Sequence, residues 1–294
     1  MRYPARGNVD ALRTEDRTRT TENGPGFPLS SPSNARRGRV TVLGSGTSHG
    51  VPMIGCTCAV CLSDDPRDKR WRPSIFIELP DGLSLLVDTT PDLRAQALRF
   101  NITHIDAIVF THSHADHILG LDEVRRYNIL QKTTMPCYAD ARTTGDIRRT
   151  FSYIFGPRIR EGGGIPQLQL FTIAGAFCVG PHEIVPVPIF HGSRPILGFR
   201  VGAFAYLTDT NGIPESSWPL LDGVKLLVLD ALRDRPHPTH YTVAEALEVV
   251  ARLGPARTYL THICHDLPHA ATCARLPDGV ELAYDGLTLE LPEL

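Results

Sequence analysis

The chain has 294 residues, of which 42% are hydrophobic, and it carries a formal net charge of −2. This length suits one large domain or two small ones, and the hydrophobic share excludes a chain that is disordered throughout. No apolar run approaches the roughly 20 residues that a membrane-spanning helix requires. The near-neutral charge disfavours a protein that holds nucleic acid mainly by electrostatic attraction.

Two residue counts stand out, because the chain contains 12 histidines and seven cysteines. An odd number of cysteines excludes complete disulfide pairing, and the first forty residues contain no apolar segment typical of a secretory leader. The sequence therefore predicts reduced cysteines and a cytoplasmic location, where clustered cysteines indicate a bound metal.

Residues 1–39 are rich in Arg, Thr, Ser, Pro and Gly and contain almost no large apolar side chains. They predict a disordered N-terminal extension, because such a segment cannot bury enough surface to offset its ordering entropy. From residue 40 onward, short β-rich runs alternate with helical stretches, which predicts one layered α/β domain over residues 40–294. The predicted strands are residues 40–43, 74–79, 84–87, 107–110, 184–190, 199–207, 226–229 and 258–260.

Helices are predicted over residues 92–100, 118–130 and 242–253, and the last has a capping box made by Thr242 and Glu245. Residues 142–169, which include three consecutive glycines, are predicted to form a surface excursion of a helix and a loop. Near the C-terminus, the dipeptide Asp285-Gly286 separates two β-rich runs and predicts a two-residue hairpin turn.

The sharpest motif is Thr-His-Ser-His-Ala-Asp-His over residues 111–117, between a predicted strand and a predicted helix. His112 and His114 are two residues apart, so in extended backbone they point to the same side and can share one metal. Asp116 and His117 lie where the chain turns into the helix and can face a second metal. Imidazole and carboxylate groups suit zinc, manganese or iron.

Further ligands are expected at the carboxyl ends of other strands, because sites in α/β proteins collect at that edge of a sheet. The polar residues that directly follow apolar runs are Asp88, His191, Asp209, Asp230 and His262. His191 could complete the first metal, His262 could complete the second, and Asp209 could bridge both. Asp88 or Asp230 could orient a ligand imidazole through a hydrogen bond.

A separate Cys-x-Cys-x-x-Cys cluster is formed by Cys56, Cys58 and Cys61. Three thiolates this close suit a closed tetrahedral zinc site with one further ligand. Cys264 and His265 are both candidates for the fourth position, and spacing alone does not decide between them. Such a zinc would tie an early loop to the edge that carries His262, so its role would be structural.

The motif of residues 112–117, together with His191, Asp209 and His262, resembles the signature of the metallo-β-lactamase superfamily. The resemblance implies an αββα sandwich with two metals at one edge of the sheets. The cysteine cluster, with Thr-Asp-Thr at 208–210 and Thr-His-Ile-Cys-His at 261–265, is similar to the phosphoribosyl cyclic phosphodiesterase branch. That similarity implies His265 as the fourth ligand of the structural zinc and places His240 where the branch carries a proton-donating histidine.

Three departures from the branch concern the substrate, and the first is the N-terminal extension over residues 1–39. Gly192 stands between His191 and Ser193, where the branch has His-Ser directly, and the excursion over residues 142–169 does not match well. Ser193 and Arg125 are the candidate substrate-binding residues, the latter because it lies about two turns into the helix after the histidine motif and could contact an anion.

We therefore expect a dinuclear metallohydrolase of small or cyclic phosphodiesters, with two catalytic Zn or Mn ions and one structural Zn. A metal-bridging hydroxide would attack phosphorus, with Asp116 in the catalytic centre and His240 protonating the leaving alkoxide. The expected partner is a small-molecule phosphodiester substrate, with no membrane; nucleic acid is disfavoured, and a homodimer is left open.

The same motifs allow three alternative functions. The first is a hydrolase of another ester class, namely a lactone, thioester or β-lactam, because the metal motif is shared across such chemistries. The second is a transfer-RNA 3′-processing nuclease, which the near-neutral charge disfavours. The third is an accessory protein similar to pyrroloquinoline-quinone biosynthesis protein B, which has a similar cysteine cluster.

Overall fold

A computed structural model describes residues 37–156 and 164–292, and the predicted extension over residues 1–39 lies almost wholly outside this part. The strands are β1 (Arg39–Gly44), β2 (Ser74–Glu78), β3 (Ser84–Val87), β4 (Ala107–Val109), β5 (Met135–Ala139), β6 (Leu168–Thr172), β7 (Phe177–Val179), β8 (His182–His191), β9 (Arg194–Val201), β10 (Phe204–Leu207), β11 (Leu226–Asp230), β12 (Arg257–Thr261), β13 (Val280–Leu282) and β14 (Thr288–Glu290). The α-helices are α1 (Ala59–Leu62), α2 (Leu93–Arg99), α3 (Ala115–Ile118), α4 (Val124–Gln131), α5 (Ala141–Thr150), α6 (Ser152–Phe155), α7 (Val243–Leu253) and α8 (His269–Cys273). Short 3₁₀ segments lie at Pro66–Asp68, Leu121–Glu123 and Glu215–Leu221.

The strands form two seven-stranded mixed sheets, in the orders β14-β1-β2-β3-β4-β5-β6 and β13-β12-β11-β10-β9-β8-β7. Side chains alternate between the two faces of each strand. In β11, Leu226 and Val228 pack into the core between the sheets, whereas Leu227 and Leu229 pack against the outer layer. Both faces of this strand are therefore buried, which explains its continuous apolar run.

Helices cover the outer face of each sheet. Leu93 of α2, Val124 of α4 and Ile147 of α5 belong to the cluster on the first sheet, and Val243 and Val249 of α7 belong to the cluster on the second. The four layers are therefore helix, sheet, sheet and helix, which confirms the αββα sandwich expected from the sequence. Among the described residues, no helix is both long enough and apolar enough to cross a membrane.

Parallel pairing within each sheet brings the ends of several strands to the same edge. Strands β3, β4, β5 and β6 run parallel in the first sheet, and β10, β11, β12 and β13 run parallel in the second. The carboxyl ends of these strands therefore meet at one edge of each sheet. Contacts that join the two edges include the backbone N–H of Leu197, which donates to the Thr111 carbonyl at 3.1 Å, and the bridge between Gly46 and Ile263.

The predicted hairpin at Asp285-Gly286 is wrong, because β13 pairs with β12 in the second sheet and β14 pairs with β1 in the first. The chain instead crosses between the sheets at this point. The buried Asp285 carboxylate accepts hydrogen bonds from the backbone N–H groups of Ser45 and Trp71 and from the Ser45 hydroxyl, at 2.7–2.9 Å. These partners are more than 200 residues away in sequence, so the local turn signal could not reveal them.

Two other predicted elements are divided. The strand expected over residues 199–207 turns at Gly202, whose φ is +54°, and becomes the end of β9 and all of β10. The helix expected over residues 118–130 breaks near Gly120, where a Cβ would lie only 2.0 Å from the Thr90 carbonyl oxygen. The excursion over 142–169 contains most of α5, all of α6 and the start of β6, and its residues 157–163 lie outside the described part.

Candidate metal centre

The first group of candidate ligands consists of His112, His114 and His191. His112 and His114 follow β4, with His114 at the N-cap of α3, and His191 is the last residue of β8. Their side-chain nitrogens lie within 4.8 Å of one another. The Nδ1 of His191 is 2.9 Å from the Thr239 carbonyl, to which it donates, so its Nε2 is left as the ligand atom.

The second group consists of Asp116, His117, Asp209 and His262, all of them buried, with one ligand atom each within 4.8 Å of the others. An Asp209 oxygen lies 3.1 Å from His262 Nε2 and 3.3 Å from His117 Nε2. The other Asp209 oxygen lies 3.8 Å from His112 Nε2, in the first group. Asp209 therefore stands between the two groups, where the sequence predicted a bridging carboxylate.

Three of the residues at strand ends have a left-handed backbone conformation. Asp88, Asp209 and His262 have φ values of +64°, +58° and +59°, which non-glycine residues adopt only at a cost of order 1–3 kcal/mol. The conformation turns the chain sharply at the end of β3, β10 and β12. The surrounding sheets hold the strained backbone in place, which is a common feature of functional sites.

Opposite charges dominate the electrostatics of the second group. Burial by itself lowers the pKa of His262, but the carboxylates of Asp209 and Asp116 outweigh it and raise that pKa to about 10. The pKa of His117 is raised in the same way. His112 behaves oppositely, because its burial and the neighbouring His117 hold its pKa well below the usual value.

The residues fit divalent metals, because several ligand atoms are buried without a hydrogen-bond partner in the described part of the chain. These atoms are Nε2 of His112, His117 and His262 and Oδ2 of Asp116. Buried polar atoms normally have a partner, and leaving them without one is costly. Imidazole nitrogen and carboxylate oxygen are the donor atoms that zinc and manganese accept.

Asp88 orients His117 from behind. Its carboxylate accepts hydrogen bonds from His117 Nδ1 at 2.8 Å, from the Thr111 backbone N–H at 2.9 Å and from the Thr111 hydroxyl at 2.8 Å. The Nδ1 proton of His117 is thereby fixed, which directs Nε2 towards the carboxylates of the second group. This contact matches the orienting role that the sequence predicted for Asp88.

We expect Asp88→Asn to weaken metal binding by about 10–100-fold, because the amide cannot hold the His117 tautomer in the same way. The measurement is competition for zinc against a chelating dye. Asp106→Asn is the matched control, since Asp106 also accepts from a backbone N–H, a hydroxyl and an imidazole, those of Ser84 and His104. Equal metal affinity in both variants would contradict the assignment.

His240 lies beside both groups. Its Nδ1 is 2.8 Å from Asp230 Oδ2, and its ring centroid is 4.8 Å from that of His191 and 4.5 Å from that of His262. Both His240 and Asp230 are buried. The strand-end pattern had identified Asp230, whereas only the family resemblance had pointed to His240.

The three thiols of the cysteine cluster lie next to the His265 ring, not next to Cys264. The Sγ atoms of Cys56, Cys58 and Cys61 lie 3.2, 3.4 and 3.6 Å from His265 Nδ1. The Cys264 thiol instead accepts a hydrogen bond from the backbone N–H two residues further on, at 3.3 Å. Three sulfurs and one imidazole nitrogen are a donor set that fits tetrahedral zinc.

The local backbone favours a thiolate at Cys58. This residue is the N-cap of α1 and accepts the backbone N–H of Cys61, which lowers the pKa of Cys58 to about 7. Burial has the opposite effect on Cys61 and raises its pKa to about 11. A bound zinc would supply the positive charge that stabilises all three thiolates.

Neither of the two substrate-binding candidates belongs to the groups of candidate metal ligands. Arg125 is half exposed and pairs with Asp122 at 3.1 Å, and Ser193 lies in the turn between β8 and β9. Both roles remain predictions. Sequence reasoning missed Arg194, the next residue along, which donates from Nη2 to the Ser113 hydroxyl at 2.8 Å.

The chain is similar to several known proteins. Residues 84–263 match the family model described as "Beta-lactamase superfamily domain". A solved structure of a new diphosphatase from the PhnP family is 47% identical, with a TM-score of 0.81, and the match covers 87% of this chain and 97% of that one. The structure of zinc-bound PqqB from Methylobacterium extorquens is 21% identical, with a TM-score of 0.68 and coverage of 86% and 100%, and it shows the fold alone.

A curated relative from Porphyromonas gingivalis (strain ATCC BAA-308 / W83), named octanoyltransferase, is 37% identical over 259 residues. The match covers 87% of this chain and 52% of the relative, so the chain spans about half the length of that protein. Human tRNase Z, short form, is similar in fold, with 19% identity, a TM-score of 0.61 and coverage of 87% and 100%.

Proposed function

Because the chain belongs to the metallo-β-lactamase superfamily and is a PhnP-like member of it, we propose that it hydrolyses phosphodiester or diphosphate bonds in small substrates, including cyclic ones. The superfamily and the diphosphatase neighbour support a metal-dependent hydrolase. The observation that carries the proposal is the meeting of two ligand groups at Asp209, with His240 beside them. A substrate of this kind has the tetrahedral phosphorus and anionic oxygens that a pair of cations stabilises.

Seven side chains would hold the two catalytic metals. The first metal would take His112, His114 and His191, the second would take Asp116, His117 and His262, and Asp209 would serve both. Divalent metals in such a site supply Lewis-acid stabilisation of developing charge and a nucleophile at neutral pH. Zinc or manganese as these metals, and one zinc on the cysteine cluster, are parts of the proposal.

His240 would act as the general acid. Its Nδ1–H donates to Asp230, whose position is fixed by a hydrogen bond from the Thr210 backbone N–H at 3.2 Å. This contact fixes the orientation of the ring, and Nε2 would deliver the proton to the leaving oxygen. The position of the ring supports this role, because its centroid lies 4.8 Å from that of His191 and 4.5 Å from that of His262.

We expect His240→Gln to lower kcat by about 10²–10⁴-fold for substrates that release an alkoxide, because these need a proton at the leaving oxygen. A nitrophenyl ester should lose much less, since its leaving group departs without protonation. The measurement is kcat for both substrate types, together with metal content.

His237→Gln is the matched control for His240, because its ring centroid is 5.0 Å from that of His240 but its Nδ1 lies 3.2 Å from the Thr239 hydroxyl, whereas the imidazole hydrogen bond to Asp230 is made by His240. An equal loss with both leaving groups, or a loss of bound metal, would show that His240 acts as a ligand instead of an acid.

The proposed function is tested with metal-loaded protein on a substrate panel. The panel contains cyclic and linear phosphodiesters, a diphosphate diester, a lactone, a thioester, a β-lactam and a precursor transfer RNA. We expect turnover of the small phosphorus compounds at the highest kcat/KM. Protein that is replete with metal, leaves these untouched and hydrolyses a carbon ester would contradict the proposal.

The panel covers the alternative functions as well. The likeness to tRNase Z and PqqB concerns the fold, and the net charge of −2 disfavours a large nucleic acid. The name octanoyltransferase belongs to a protein of which this chain matches about half, so an acyl thioester is included. The cytoplasmic location is also proposed, and it agrees with seven cysteines that form no disulfide.

A further inference from the structure

We propose that Arg194 binds an anionic oxygen of the substrate beside His114 and thereby selects phosphorus-containing substrates over neutral esters. The inference rests on the proposed function and assigns the specificity of that same site to one residue. It depends on where Arg194 lies, how its side chain is held and which charges surround it.

The backbone of Arg194 lies at the first ligand group. Arg194 begins β9 and pairs with His191, the last residue of β8, across a tight turn. Further along β9, Leu197 donates its backbone N–H to the Thr111 carbonyl at 3.1 Å, one residue before His112. The start of β9 is therefore tied to both chain segments that supply the first group.

One hydrogen bond and one ion pair hold the guanidinium at the rim of the site. Nη2 donates to the Ser113 hydroxyl at 2.8 Å and lies 3.5 Å from Asp146 Oδ2, and the Ser113 hydroxyl in turn donates to Asp146. Ser113 stands between His112 and His114 in the metal motif. The side chain of Arg194 is 19% exposed, so it is held in place without being sealed off from solvent.

Most of the hydrogen-bonding capacity of Arg194 remains unused. Within residues 37–156 and 164–292, the hydrogen bond to Ser113 is the one its side chain donates, and Nε has no partner. A guanidinium binds phosphate through a fork of adjacent N–H groups, and its partial anchoring here lowers the entropy cost of that binding. The side chain can adjust towards an anion while Ser113 keeps it at the rim.

Charged groups of both signs surround Arg194. Arg142, Asp140 and Asp146 lie near it. Arg149 and Arg194 share the Asp146 carboxylate, so that one negative charge is divided between two guanidinium groups. Burial and the neighbouring Arg142 both lower the pKa of Arg194, so an incoming anion would relieve an existing repulsion. A lactone or a simple ester carries no such charge and would gain nothing from this cluster.

The cluster also gives a role to the segment that departs from the family resemblance. Arg142, Asp146 and Arg149 all belong to α5, within the excursion over residues 142–169. Because α5 supplies the carboxylate that holds Arg194, this excursion contributes to the rim of the site. Asp146 is thus a positioning residue for Arg194.

The test compares Arg194→Met and Arg194→Lys with wild type, all with metal content and melting temperature recorded. The readouts are KM and kcat for a phosphodiester and the Kd of inorganic phosphate by calorimetry, which needs no turnover. We expect Arg194→Met to raise KM and the phosphate Kd by about tenfold to a hundredfold, with a smaller change in kcat. Arg194→Lys should recover part of the loss, because it keeps the charge but not the fork.

Arg39→Met is the matched control, because Arg39 also pairs with a carboxylate, that of Glu78, but stands at the amino end of β1. It should match wild type in all readouts. Unchanged KM and phosphate Kd in Arg194→Met, or a loss of metal that accounts for the change, would overturn the inference while leaving the proposed function intact. Failure of the wild type to hydrolyse any phosphorus compound would instead overturn the proposed function.

Discussion

Asp209→Asn is expected to remove most of the activity and at least one of the two proposed catalytic metals. Asp209 faces His112 of the first group and both His117 and His262 of the second, so one change weakens both groups. The loss of kcat/KM should be on the order of 10³-fold or more, because changing a residue that only orients a metal ligand already costs about 10–100-fold.

Asparagine is the informative replacement at this position. It has the same shape as aspartate and tolerates left-handed backbone, so the φ of +58° does not add strain. The substitution therefore removes charge and little else. In the metal-free protein it also removes the carboxylate that raises the pKa of His262, so that imidazole should titrate at a lower pH.

The measurements for Asp209→Asn are metal content by elemental analysis and kcat/KM on the preferred substrate. Asp106→Asn at the opposite edge of the first sheet serves as the control and should keep both values. Two metals per chain and normal turnover in Asp209→Asn would show that the carboxylate does not serve the two groups.

Much of the fold could be predicted from the spacing of apolar residues. Alternating apolar residues indicate a strand with one buried face, and a continuous apolar run indicates a strand with both faces buried. The rule that sites collect at carboxyl strand ends identified Asp88, His191, Asp209, Asp230 and His262 before any contact was known. These residues lie close together because the strands that end beside them are mostly parallel, which brings their carboxyl ends to one edge. The registers themselves were not needed for that inference.

The remaining features depend on contacts between residues far apart in sequence. His265 reaches cysteines that lie 204–209 residues away, and Arg194 reaches Ser113 across 81 residues. Spacing within a motif contains no information on either contact. The hairpin at Asp285-Gly286 failed for the same reason, since the strands on either side pair in different sheets.

The second large effect is expected from the cysteine cluster. Cys58→Ser should lose one zinc per chain and lower the free energy of unfolding by about 2–5 kcal/mol, comparable to removing a disulfide, since both cross-links join distant segments. For a domain of this size the melting temperature should fall by about 10 °C. Cys178→Ser is the control, because that exposed thiol is outside the cluster.

The proposed zinc should also affect binding of the proposed catalytic metals, because His262 and His265 are three residues apart on one loop. The loop has a second anchor in Arg70, which is fully buried and donates to the carbonyls of Cys264 and Leu267 at 2.8 and 2.7 Å. Asp68 pairs with Arg70 and supports the same loop. With one anchor lost, His262 should be held less rigidly, and kcat/KM should fall even though no catalytic ligand has changed.

A pair of neighbouring variants separates this coupling from a general loss of folding. His265→Ala should behave like Cys58→Ser in zinc content, melting temperature and kcat/KM, because its Nδ1 lies within 3.6 Å of all three thiols. Cys264→Ser should keep the zinc, since that thiol bonds to the backbone instead. If both variants lose zinc equally, the fourth ligand is misassigned. If zinc is lost without any change in kcat/KM, the loop holds His262 through Arg70 alone.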